Sequence, residues 1–506
     1  MAYLSDYLGG GASLTGLAGA EAINANDLLE LTQDGSLIPV KISDYAAIAN
    51  AGQLVAPTTV QAYSLSGSVK KEAFACSDGT FIFVTPSSTS NTVPIVSKYS
   101  ASGALLASYT LDTTNSPVYA PCIQQLSNGN LVVAWLLLAT GPNTVRFAVL
   151  SPNLAVIVAP VTVTTVADAY SYSLDMISLA AGGFALSYCM PTGVFLAIYG
   201  NNGAVVSAGT LVSGSPAAGS STAKLAVQTA QLSNGNIAIA INSQHAGYAL
   251  GHAIYTNAGA MVLAYTVLDS ATSAGGQLPK ISALPGYYCC GILDGTNAFA
   301  VVLNNAGVIQ GAPFTVPDTN VDSVNTQAGK LLNNGTNFWY ILGTMIIFIP
   351  VAGAGFITNT LTVSPGADFD AFIESSEIVV GIPSNVYVFK TTSQGAVSLS
   401  ASIADTVIAW VKMVSFGDKA FAKCSVDTNC IFTIKKYENT AIVGISQTTV
   451  AANNAGTVVN YSMGTGGYSC NAIGGTVGKG FDHSASNIIG NKGTILGNSV
   501  ALAGIV

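Results

Sequence analysis

Arginine is all but missing from this sequence: among 506 residues Arg146 stands alone, and the other 15 basic side chains are lysines. Charged residues make up 8% of the chain and the formal net charge is −8, whereas an ordinary globular domain carries roughly a quarter charged residues. A nucleic-acid binder needs clustered Lys and Arg against phosphates, so nucleic acid is excluded as a partner. Histidine is almost as scarce, with His245, His252 and His483 the only three. The first two flank a turn. The third sits in Asp482-His483-Ser484, where adjacent residues cannot converge as a triad, so no histidine general base is expected.

Other chemistry-bearing patterns are absent too. There is no Walker loop, no G-x-S-x-G elbow and no zincin motif. None of the eight cysteines (Cys76, Cys122, Cys189, Cys289, Cys290, Cys424, Cys430, Cys470) has zinc-type spacing. No cofactor and no metal is expected. Most of these cysteines lie in apolar runs and read as buried thiols. Cys424 and Cys430 bracket a short polar loop, and the sequence leaves a bridge between them open. Residues 1–6 lack the basic start and apolar core of a secretion signal, which points to synthesis in a reducing cytosol. No clean apolar run of about 20 residues spans a bilayer. The nearest, Ile341 to Ile357, is interrupted by Pro350, Gly343, Gly353 and Gly355.

What the chain has is apolar residues (50%), 53 glycines and an internal period. A Leu-polar-polar-Gly turn before an apolar run recurs, most clearly at Leu126-Ser127-Asn128-Gly129 and Leu232-Ser233-Asn234-Gly235. The turn glycines Gly79, Gly129, Gly182, Gly235, Gly286 and Gly335 follow one another at steps of 50, 53, 53, 51 and 49 residues. A second turn interleaves with the first, with Gly103, Gly203, Gly259, Gly307 and Gly395 in its glycine slot. In the second repeat Asn153 is expected as the left-handed residue, and in the sixth Gly353 or Gly355. Such turns permit the positive φ angles of tight hairpins. Two hairpins, or four strands, in about 50 residues is the arithmetic of a propeller blade. Middle strands sandwiched between blades explain near-continuous apolar runs such as Leu131 to Leu138.

The expected fold is therefore all-β: a seven-bladed β-propeller over residues 55–410, between a short N-terminal segment, 1–54, and a small C-terminal β domain, 411–506. A two-sheet sandwich, or a pair of them, is the alternative that seven phased copies argue against. The ends differ in composition. Six of the 24 acidic residues fall in 1–54, and seven of the 15 lysines in 411–506. Within 1–54, a short apolar run and hairpin turn precede a strand at Ile38 to Tyr45, with Ser43 as N-cap of a short helix.

The run Asp27 to Ala49, DLLELTQDGSLIPVKISDYAAIA, resembles a segment near the N-termini of tailed-phage fibre proteins. The segment Ala441 to Val459 is similar to β-segments of phage virion proteins. The resemblance implies a structural virion protein, a fibre or spike component. It would attach to other virion proteins through 1–54, assemble as a homo-oligomer with a trimer favoured, and display its propeller for binding a host-surface glycan. Localisation on the virion, after assembly in the host bacterial cytoplasm, follows from the same resemblance.

Two sets of candidate site residues remain. Sugars stack on exposed aromatic faces, which singles out Tyr170, Tyr172, Tyr287 and Tyr288. Trp135, Trp339 and Trp410 lie in or beside apolar runs and read as core. The densest acidic cluster is Asp368, Asp370, Glu374 and Glu377. Glycan hydrolysis needs two carboxylates, so this cluster is what a virion-borne polysaccharide depolymerase would use, and that is the alternative to a non-enzymatic protein. A sialidase is excluded, because it grips its substrate with several arginines. A second alternative, a bacterial surface lectin or adhesin, predicts an export signal.

Overall fold

The computed structural model describes residues 72–438, apart from parts of the connections between strands, together with short strands between 13 and 39 and between 444 and 502. Seven four-stranded antiparallel sheets follow one another along the chain, at 72–110, 118–166, 174–211, 225–269, 280–317, 330–360 and 370–404. Each is laid down in order from an inner strand to an outer one. The inner strand of each packs beside the inner strand of the next. These are the blades of an all-β, seven-bladed propeller. Among the described residues no helix is long and apolar enough to cross a membrane, and Ile341 to Ile357 is distributed over strands Phe338–Ile341, Met345–Ile349 and Ile357–Thr360.

The core lies between blades. In blade two the second strand, Leu131–Leu137, is buried along its whole length. Its side chains alternate between two neighbours, as a period of two requires. Leu131, Val133, Trp135 and Leu137 pack with Ile82, Val84 and Val96 of blade one. Val132, Ala134 and Leu136 pack with Phe184, Leu186 and Tyr199 of blade three. Blade four repeats the arrangement: Ile237, Ile239 and Ile241 face blade three, while Ala238 and Ala240 face blade five. Aromatic rings fill the wider gaps, with Phe147 5.1 Å from Phe184 and 4.6 Å from Tyr199. Each such side chain contributes about 1.5–3 kcal/mol by leaving water.

The turns have the expected form. Gly129, Gly182, Gly235, Gly286 and Gly335 all have positive φ. In the sixth blade Gly355 takes the left-handed slot, at φ 75°. In the second blade the left-handed residue is Leu154, φ 64°, and not the expected Asn153. The Leu154 N–H donates to Ser151 O, which fixes the turn, and its side chain is buried with Trp135 and Val96. Burial of the leucine offsets a conformation that costs about 1–2 kcal/mol.

The ring is closed by one more sheet, Trp410–Ser415, Ala420–Val426 and Phe432–Glu438. Its inner strand lies beside Asp370–Glu374 of blade seven and beside Glu72–Ala75 of blade one. Residues expected in a separate C-terminal domain thus complete the propeller. The two ends of the chain also meet: Ser13–Leu17, Leu28–Leu31 and Leu37–Pro39 share a five-stranded sheet with Gly444–Ser446 and Ala455–Val459. The helix expected after Ser43 lies outside the described residues.

Candidate functional site

Antiparallel order gives the ring two unlike faces. One carries the turns within each hairpin, and side chains stitch them together. Asn201 Nδ2 donates to Ser127 Oγ of the preceding blade at 3.2 Å, and the Gly183 N–H donates to Asn201 Oδ1 at 2.6 Å. Ser233 Oγ accepts from the Gly286 N–H and from Asn305 Nδ2, both at 2.9 Å. At the other face begin and end the connections from each outer strand to the next inner strand, among them 167–173, 212–224, 270–279 and 318–329. Connections of this kind, on a rigid scaffold, are where binding residues concentrate.

Inner strands carry a belt of polar side chains, each reaching the backbone of the next blade. Asp175 accepts from the Thr229 N–H at 2.7 Å, and Gln228 from the Ile281 N–H at 2.8 Å. Ser173 Oγ accepts from the Val227 N–H at 2.9 Å. Asp370 fills the same role at the ring closure: its Oδ2 accepts from the Met413 N–H at 2.8 Å, and its Oδ1 pairs with Lys330 Nζ at 2.5 Å. Farther out, Arg146 pairs with Asp112 across blades one and two, and buried Lys98 donates to Pro152 O at 2.8 Å.

The structure holds Asp370 apart from Glu374. Asp370 is buried at one end of its strand, and Glu374 ends the same strand at the opposite face. Four residues of strand separate them by about 13 Å, beyond the spacing of a glycosidase carboxylate pair, roughly 5–9.5 Å. Glu377 is buried at the start of the next strand, in register with Glu374 and Lys390. Asp368 lies outside the described residues. Among the described residues no group of His, Cys, Asp and Glu is placed to hold a metal ion.

Of the aromatic candidates, Tyr288 is fully buried, and its hydroxyl shares a 2.6 Å hydrogen bond with His252 Nδ1. It presents no ring face to a ligand, because an apolar strand between two blades surrounds it. Tyr287 is half-buried at the tight-turn face, beside Gly286. Tyr170 and Tyr172 fall in the 167–173 connection, outside the described residues. Trp135 and Trp339 are core residues as expected. Cys76, Cys122, Cys189, Cys289 and Cys290 are buried thiols, and burial pushes the thiols of Cys189, Cys289 and Cys290 well above their usual range.

Sequence reasoning missed the belt residues Asp175, Gln228 and Ser173. One signal was available: each partner stands 53 or 54 residues away, one repeat step.

No family model matches the chain, and no curated protein sequence matches it. Similar solved structures include apo AztD from Citrobacter koseri, 10% identical over 75% of this chain and 97% of that one, with a TM-score of 0.40. The Dos1 propeller is 9% identical over 74% and 94%, with a TM-score of 0.45. Polysaccharide lyase Uly1 is 9% identical over 84% and 99%, with a TM-score of 0.42. The propeller assignment rests on the sheets and their packing.

Proposed function

We propose that this chain is a structural component of a tailed-phage virion, a fibre or spike protein whose propeller is a rigid platform for binding a host-surface glycan. The observation that carries the binding reading is the division of labour between faces. The tight-turn face and the inner-strand belt are committed to joining blades, while the long connections gather at the other face. Asp370, needed by a depolymerase, is occupied by Lys330 and the Met413 N–H. The phage assignment is supported by the resemblance at 27–49 and 441–459, and both segments contribute strands to one sheet. That sheet is the proposed attachment and trimerisation element.

The test combines light scattering, mass spectrometry of purified phage particles and incubation with host capsular or lipopolysaccharide glycan. The expected result is a trimer, present in the particles, that binds the glycan and leaves its chain length unchanged. Shortening of the glycan overturns the non-enzymatic reading in favour of a depolymerase. Absence from particles overturns the virion assignment in favour of a surface lectin.

A further inference from the structure

Three polar atoms at the seam between blades one and two are buried with no hydrogen-bond partner among the described residues: Trp135 Nε1, Arg146 Nε and Thr144 Oγ1. Buried polar atoms in native proteins are normally satisfied, so each exception raises the question of what meets it. The register brings these three together. Trp135, in the second strand of blade two, stands opposite Arg146 in the third, Asn143–Leu150, and directly paired residues have Cβ atoms about 4.5–5.5 Å apart. Thr144 lies two residues from Arg146, on the same side of the strand and about 7 Å along it. That side faces blade one: Trp135 packs with Ile82, Val84 and Val96, and Arg146 pairs with Asp112. Trp339 Nε1 is also without a partner, but the residues opposite it are Leu332 and Phe348, so it stands among apolar side chains.

The group lies toward the face of the long connections. Thr144 is the second residue of a strand that starts there, and Asp112 follows the outer strand of blade one, at the head of the link to Val118. The Arg146 side chain is 23% exposed, whereas Trp135 is fully buried. A group that meets both is small and enters past the guanidinium.

The chemistry narrows the occupant. Indole and guanidinium N–H groups only donate, while the threonine hydroxyl both donates and accepts. Asp112 already balances the guanidinium charge, so its carboxylate would repel a second anion. A hydroxyl fits: its oxygen accepts from the two N–H groups, and its own proton is donated to Thr144 Oγ1. Arg146 is the one arginine among 16 basic residues. A lysine would meet Asp112 as a point charge, but it has no Nε–H held at a fixed angle to a planar fork.

We propose that Trp135, Arg146 and Thr144 form a sugar subsite that holds one hydroxyl of a neutral sugar. This rests on the glycan-binding reading above and locates it at the seam of blades one and two.

The test follows the indole N–H signals of the three tryptophans in the full-length protein by heteronuclear NMR, with Trp135→Phe assigning one of them. Glucose, galactose, mannose, inorganic phosphate and the host glycan are titrated in turn. The expected result is that the glycan and at least one sugar move the Trp135 signal, leave that of Trp339 in place, and that phosphate moves neither. By isothermal titration, Thr144→Val and Arg146→Lys should each weaken glycan binding roughly tenfold, while Thr144→Ser, which keeps the hydroxyl, binds like wild type. Thr144→Val should also melt no lower than wild type, because the hydroxyl it removes has no partner in the fold. A purely structural threonine would lower the melting temperature instead. A glycan that binds without moving the Trp135 signal, and equally well to Thr144→Val and Arg146→Lys, overturns the subsite and leaves the glycan reading standing. A sugar that moves the signal while the host glycan does not bind keeps the subsite and overturns that reading. A signal that answers to phosphate alone, or to nothing, leaves the indole to an ion or a buried water and rules the subsite out.

Discussion

His252 Nδ1 and the Tyr288 hydroxyl meet at 2.6 Å in the boundary between blades four and five, both side chains shut off from solvent. Burial holds the imidazole down at about 4, from an ordinary value of 6.5, and raises the Tyr288 phenol above its usual range. The folded protein therefore keeps His252 neutral where the unfolded chain takes up a proton. Stability is unaffected by this group above pH 6.5. It falls as the pH drops toward 4, by about 3 kcal/mol at most. Thermal melts of wild type between pH 7.5 and 4 should show that slope, and His252→Gln should flatten it while lowering the melting temperature at pH 7.

Asp370 is expected to act on the ring and not on a substrate. Asp370→Ala leaves the Met413 N–H without this acceptor and Lys330 without this carboxylate, a loss of about 2–3 kcal/mol. Asp370→Asn, which retains an acceptor oxygen, should lose less. Denaturant unfolding followed by tryptophan fluorescence checks the order.

Two turn glycines separate conformational strain from close approach. Gly235 has φ +84° and open space where a Cβ would go, so Gly235→Ala should cost about 1–2 kcal/mol. Gly183 has φ +87°, and its Cβ would lie 2.1 Å from the backbone oxygen of Tyr199. Because main chain cannot step aside as a side chain does, Gly183→Ala should cost about 3 kcal/mol or more. Urea midpoints for the pair measure the difference.

If glycan binds at the face where blades are connected, Tyr170→Ala and Tyr172→Ala should weaken binding several-fold with the melting temperature unchanged. Tyr288→Phe should do the reverse, lowering the melting temperature and leaving affinity alone. Isothermal titration and scanning calorimetry on the same preparations separate the two effects.

The blades were legible because hairpin chemistry is local. A glycine that needs positive φ announces itself at Gly129 or Gly235 whatever surrounds it. Leu154 escaped the same reasoning because its unfavourable conformation is offset by burial against another blade. The closing sheet escaped because Ser415 and Ala420 are joined by Phe416-Gly417-Asp418-Lys419, without the leucine and polar pair that mark the other turns. The separation of Asp370 from Glu374 was hidden for a similar reason. Asp370 and Glu374 are near in sequence, but the strand holds them at opposite faces, and the partner of Asp370 at Met413 is 43 residues away.

The alternation along Leu131–Leu137, odd residues to one neighbour and even residues to the other, makes insertion and substitution very different events. Replacing Val133 disturbs one seam. Adding a single residue ahead of it turns every later side chain to the wrong neighbour, so Trp135 would be driven into the space that fits Leu136, and two seams would fail together. The middle strands should therefore accumulate changes of identity but never of length, while the connections between blades, which have no such alternation to preserve, are where this chain can grow or shrink.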